Sequence, residues 1–550
     1  MTMAFSRIAT LGALAALCAV SACGDDAAPA DDTTTGSGTD PDTGMGTELP
    51  PMSTSTGSGA VDSTGEDSGS DSSTGGEPLT RIEEIVFALD RAMYECPDVV
   101  WPGLSDDYRS AQILLVSESE GIAYLWNDQS AAGATPTVTE LDYASLDAEW
   151  HTTFNIGMLD GVITLGISLD TTAETNASFD EQGLPRWHDF AIELAFHEGF
   201  HFLHDQGSWD VDPGSRSIPY PEPWEPRYLR AMLGWAVRDQ LEAGGAPDMS
   251  AAAYWRARAL AEYPQEMAQI EPYDITEGTA EYASAMMSAV VDLGCDATDE
   301  ELVAAVVEHL DVFASLDHYA GGREPYDLGV LFGTTLRRQG AKGWEALAEQ
   351  GYSLHLMAIG ATMAQMQAED ATRQAEAMAA ADQRNVVAGE QIEPMLANMA
   401  DPAYYRVPLP FDWISGSFSL GGFYYLVDEP GVPNVMLGYT ALHTTPTGSE
   451  VTVDGLTLIH SVAHPCPLTP GSVIATVPVA DVTDNGDGTF TSSNASLSFA
   501  NLTATTLTDA QTLPWMCADT AAAPAAPPRR SLPRLGVLPG PGGRPQLVDL

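Results

Sequence analysis

Ala191 to Asp205, AIELAFHEGFHFLHD, packs three histidines into eight positions: His197, His201 and His204. His197 and His201 are four apart, so on a helix they share a face and can aim ring nitrogens at one ion. Glu198 follows the first of them and completes the pattern H-E-x-x-H. From there it can take a proton from water held by the ion. Catalytic zinc asks for three protein ligands and one open position. His204 is a poor third ligand, because a rigid helix would then have to reach one ion from three successive turns. It is expected to support the ligands or to face a substrate.

The third ligand is expected downstream, in YDITEGTAEYASAMM, where Glu277 and Glu281 stand four apart on an apolar-backed helix. Taken alone, the two also read as an exposed acidic pair. Beside H-E-x-x-H, however, Glu277-Gly278-Thr279-Ala280-Glu281-Tyr282 resembles the E-G-x-A-x-Y segment of the gluzincin metallopeptidases, the superfamily of thermolysin and the membrane aminopeptidases. The resemblance implies that Glu277 completes a site for one Zn2+ per chain, and that Glu281 orients a ligating histidine. REPYDLGVLFGTTLRRQG is similar to the P-Y-x-x-G segment of the aminopeptidase branch. That similarity implies Tyr326 as the donor to a developing oxyanion. His318 is a second candidate donor, while His309 and His355 read as surface or packing residues.

What the resemblance implies is hydrolysis of peptide bonds, with Glu198 as general base. It also implies that GVITLGISL, just ahead of the histidine helix, is the edge strand along which an extended peptide pairs. The match is incomplete. Seventy-five residues separate His201 from Glu277, so a helical insertion must lie between them. No G-x-M-E-N segment for holding a free substrate amine is present, which leaves exopeptidase action unsupported. The metzincin pattern fails, since its glycine would fall at His204 and its third histidine at Gly207. A non-catalytic zincin scaffold used for binding or adhesion stays open as an alternative. So does hydrolysis of a non-peptide bond.

These residues need a scaffold. RIEEIVFALDRAMYEC has helical spacing, and QILLVS, IAYLWN, TVTELDY and GVITLGISL read as strands. Beyond Pro185 the pattern turns helical, with helices expected near 187–205, 225–243, 251–262, 275–292, 299–315, 327–339 and 354–385. A small N-terminal sheet followed by a helical part is an α+β plan, and the resemblance makes residues 79–400 a zincin-like peptidase domain. Residues 412–517 alternate and are punctuated by turns, as a small β-rich domain such as a sandwich would be. Within it DNGDGT reads as a hairpin turn, lacking the twelfth-position glutamate of a calcium loop.

The ends of the chain are of another kind. Residues 1–23 carry one basic residue and a short apolar run, as a signal segment does. Val20-Ser21-Ala22-Cys23 resembles a bacterial lipobox, which implies lipidation at Cys23 and a place on the cell envelope, at the outer membrane or surface. Residues 24–78 are acidic, rich in Ser, Thr and Gly, and too poor in apolar groups to fold, so they read as a flexible tether. Residues 518–550 are Pro-rich and expected to be disordered. With 78 acidic against 22 basic residues, net charge −56, the chain repels phosphate backbones and is not expected to bind nucleic acid. Cys96, Cys295, Cys466 and Cys517 allow three pairings; one bridge within each domain, Cys96–Cys295 and Cys466–Cys517, avoids any link between domains. Oligomeric state is left open.

Overall fold

The computed structural model describes residues 80–518, apart from 131–135, 148–149, 151–153, 174–188, 206–208, 210, 212–217, 311–322, 420, 427–434, 462–463 and 468–471. The signal segment with Cys23, the tether, the tail from 519, Pro185 and His318 lie outside the described residues. Folded structure begins at Thr80, whose hydroxyl accepts the Glu83 backbone N–H while the Glu83 carboxylate accepts that of Thr80. This capping box starts helix α1, Arg81–Leu89. Helix α2, Leu104–Arg109, follows.

Strands β1 (Gln112–Ser117), β2 (Ile122–Trp126), β3 (Val138–Asp142), β4 (Phe154–Leu159) and β5 (Val162–Ser168) form a five-stranded sheet in the order β3-β2-β1-β5-β4. Strand β1 is buried at every position. Its Ile113 and Leu115 face the helices, while Leu114 and Val116 pack with Trp150 on the other side. Strand β5 pairs in parallel with β1 and antiparallel with β4. The two-residue loop between β4 and β5, Asp160-Gly161, has φ of 52° and 84°. Both values are positive, as a tight hairpin of this kind requires. The edge strands are therefore β3 and β4, and GVITLGISL, expected at an edge, lies one place in as β5. Apolar periodicity marks four of the five strands and leaves out β4, and it does not give the order in which they pair.

The helical part contains α3 (Phe190–Phe200), α4 (Trp224–Ala243), α5 (Ser250–Glu262), α6 (Pro264–Leu293), α7 (Asp299–Glu308), α8 (Glu324–Arg338), α9 (Trp344–Ala348), α10 (Leu354–Ile359) and α11 (Ala371–Ala400). One continuous core joins these helices to the sheet. Helix α6 starts eleven residues before the expected 275, with Pro264 in its first turn and Pro272 inside. Proline is preorganised for the first position, and one interior proline leaves most of the ladder intact. The run expected as one helix over 354–385 breaks at Gly360, where φ is 52°.

The C-terminal strands run from β7 (Tyr404–Pro410) to β16 (Pro514–Ala518), so the β-rich part begins ahead of the expected residue 412. Between them lie β8 (Ile414–Ser419), β9 (Gly422–Leu426), β10 (Val435–Thr444), β11 (Glu450–Ser461), β12 (Ser472–Pro478), β13 (Val482–Asp484), β14 (Thr489–Ser493) and β15 (Leu497–Thr508). Because β15 pairs with β11 as well as β16, the strands β11-β12-β7-β16-β15 close into a ring rather than a two-layered sandwich. DNGDGT makes the β13–β14 hairpin turn, as expected. Strand β6 (Ile218–Tyr220), from the stretch between His201 and Glu277, pairs in parallel with β9. Helix α11 packs Ala388, Ile392 and Met395 against Tyr424, Leu426 and Val435 of this sheet. The β-rich part is thus built onto the insertion. Both cysteine pairs are at bonding distance, with Cα atoms 5.1 Å apart for Cys96–Cys295 and 5.3 Å for Cys466–Cys517.

Candidate metal centre

Helix α3 begins with Asp189, whose carboxylate accepts the Ala191 N–H at 2.8 Å and also pairs with Arg81. An acidic cap at a helix start satisfies an otherwise unbonded donor and suits the positive end of the helix. The helix is buried from Ala191 to Phe200 but for Glu193 and carries His197 and Glu198 inward. It gives way to a π turn, His201–Asp205, at the second histidine. Helix α6 packs alongside and delivers Glu277, also buried.

Three atoms meet there. His197 Nε2 and His201 Nε2 are 3.2 Å apart, and Glu277 Oε2 lies 3.2 Å from the first and 3.3 Å from the second. A tetrahedral zinc about 2.0 Å from each ligand would hold them roughly 3.3 Å apart, so the triangle fits that ion. His197 Nδ1 faces Glu281 Oε2 at 2.9 Å. Donating there fixes the tautomer and turns the Nε2 lone pair toward the other two atoms. Burial opposes a charge on His197, yet the hydrogen bonds of Glu277 and Glu281 outweigh it and raise its pKa to about 9. A proton and a metal ion would compete for that same lone pair. For Glu281, burial works upward but the His197 bond and Arg323 hold its pKa below the usual glutamate value. Among the described residues one other group of ligand atoms gathers, Glu95, Cys96 and Cys295, but its two sulfurs are bonded to each other.

Tyr326 is buried, and its ring stacks on that of His197 with centroids 5.5 Å apart and 27° between planes. Its hydroxyl is 3.0 Å from that of Tyr273, one turn before Glu277 on α6. The glycines of the two motifs bring these groups together. A Cβ on Gly329 would lie 2.0 Å from the Gly278 carbonyl oxygen, and one on Gly333 would lie 2.3 Å from the Tyr282 ring. Only glycine permits backbones to approach this closely. The pairs 278/329 and 282/333 advance together, so α6 and α8 run side by side in one direction.

Tyr273 and Arg323 were not singled out from sequence. Tyr273 stands four before Glu277, a spacing that could have revealed it. Arg323 lies 3.5 Å from Glu281, 3.7 Å from Asp327 and over the Tyr326 ring. No local pattern announces the contact with Glu281. His204 sits away from the three-atom group. Its Nδ1 is 2.8 Å from Asp107 of α2, its Nε2 is 3.6 Å from Glu349, and Trp101, Phe200 and Trp209 surround its ring. It holds the π turn against α2 and the end of α9. His309 caps α7, whereas His355 is buried against Arg256 and Asp274.

No protein-family model, curated protein or solved structure matches this chain.

Proposed function

We propose that this chain is a zinc-dependent hydrolase of peptide bonds, of the gluzincin type, tethered to the bacterial envelope through a lipid on Cys23. The observation that carries the reading is the triangle of His197 Nε2, His201 Nε2 and Glu277 Oε2, with edges of 3.2, 3.2 and 3.3 Å. Three electron-pair donors so close and so buried repel one another unless a cation or proton lies between them.

Bound zinc supplies Lewis acidity, which brings water within reach of ionisation near neutral pH. The remaining roles belong to the protein. Glu198, buried beside His197, accepts the proton and returns it to the leaving amine. Glu281 keeps His197 in the tautomer that presents Nε2. Tyr326 donates a hydrogen bond to the substrate carbonyl oxygen as negative charge grows there, and the Tyr273 hydroxyl steadies that phenol. An extended peptide would pair with β4, the edge strand next to β5.

The decisive experiment uses the exported chain. It should contain about one zinc, and Glu198→Gln should retain the metal while losing at least about a thousandfold in hydrolysis. A fully active Glu198→Gln protein rules out this mechanism. Zinc retention without cleavage of any member of a diverse peptide library would favour a binding scaffold instead.

A further inference from the structure

Helix α4 belongs to the insertion between His201 and Glu277, yet it sends two arginines, Arg227 and Arg230, into the core. The Arg230 guanidinium holds Asp274 bidentately, with Nη2–Oδ1 2.5 Å and Nη1–Oδ2 3.1 Å. Its Nε donates to Glu324 Oε2 at 2.7 Å. Asp274 lies three residues before Glu277 on α6, and Glu324 lies two before Tyr326 at the start of α8. One side chain therefore bonds both helices within a turn of the residues assigned to the reaction. On the far side of Glu277 and Tyr326 the same two helices touch at Gly278 and Gly329. The functional pair is bracketed by two fixed contacts.

We propose that Arg230 is a positioning residue of the metal centre, setting Glu277 and Tyr326 against each other by tying α6 to α8. The inference rests on the zinc-hydrolase reading. Stability alone gives little reason for the arrangement, because a buried ion pair is about as stabilising as a well-packed apolar replacement. What arginine adds is direction, since a planar fork with three bonded nitrogens accepts only one relative placement of its partners. Glu324 also accepts Arg227 Nη1 at 2.8 Å, and Arg227 pairs in turn with Glu266 and Glu222. Glu222 meets Arg384 of α11 at 2.7 Å. The helix that seats the β-rich part is thereby joined to the same network.

The test is Arg230→Met combined with Asp274→Asn in the exported chain, which removes one charge of each sign and leaves Glu324 bonded to Arg227. Arg230→Lys is made alongside, to keep the charge and lose the fork. Each protein is loaded with Co2+ for its visible spectrum, which reports ligand geometry, and assayed with a peptide substrate of the wild type. We expect one Co2+ per chain, an altered spectrum, and kcat lowered at least about tenfold with KM within about twofold. The lysine variant should fall in the same direction. Should the double variant fail to fold, the lysine variant decides by the same readings. Wild-type spectrum and kcat in a folded variant would overturn the inference. If the wild-type protein binds Co2+ but cleaves no peptide, the peptidase reading fails while the spectra still judge Arg230. If it binds no Co2+, both fall.

Discussion

In the helical part of the molecule His197 lies buried between Glu277 and Glu281, and its pKa rises to about 9. In the β-rich part His443 is wholly enclosed, with the Tyr439 hydroxyl 3.1 Å from its Nε2. Burial drives that histidine the other way, to about 4. Both rings suffer desolvation, which penalises the charged form. Carboxylates reverse the outcome for one of them, and no carboxylate approaches the other among its described contacts. A histidine that holds a proton tightly in a buried acidic pocket is also suited to a cation. His443, neutral down to about pH 4, has no such acidic surroundings among the described residues. The contrast singles out His197, and not His443, as a candidate cation ligand without any appeal to motif.

The comparison can be broken from the His197 side first. Glu277→Gln removes the charge that both candidate ligand histidines face. It is expected to lower zinc affinity about a thousandfold, taking about 4 kcal/mol for one ligand. Competition against a chelator measures this, and unchanged affinity would remove Glu277 from the ligand set. The next effect belongs to His443. Its unfolded pKa is near 6.5 and its folded value about 4, so the unfolded chain binds the extra proton between those values. The contribution of His443 to stability is complete above about pH 6.5 and lost progressively toward pH 4, by about 3 kcal/mol. Denaturant unfolding of the wild type and His443→Leu across that window should show a correspondingly smaller loss in the variant. Parallel curves would mean that His443 titrates normally. The smallest effect is that of Glu281→Gln, which keeps the shape at His197 Nδ1 but weakens its hold on the ring. Zinc affinity should fall about 10- to 100-fold, as for other residues that orient a metal-ligating histidine. An unaltered dissociation constant would make Glu281 a bystander.

Much of the centre could be read from residues close together in the chain. His197, Glu198 and His201 lie within one helical turn, and Glu277 and Glu281 within another. Their grouping follows from the 3.6-residue repeat. Helix existence was legible for the same reason, whereas strand β4 and its turn into β5 were not. Arg230 and Arg323 are not legible because each reaches carboxylates on another helix, whereas Tyr273 stands at helical spacing before Glu277. A buried arginine and an exposed one look alike in sequence. The β6–β9 pairing is not legible either, since a three-residue strand carries almost no periodic signal.

The sequence by itself determined which residue types could bind a metal, their helical phase, and the acidic, two-part character of the chain. Short-range geometry dictates all of these. Only the tertiary structure decided that α3, α6 and α8 meet at one point. The meeting rests on Gly278 lying against Gly329 and on Arg230 reaching both Asp274 and Glu324. Such contacts join residues between 44 and 94 positions apart. Their existence depends on how helices pack, which no local spacing encodes.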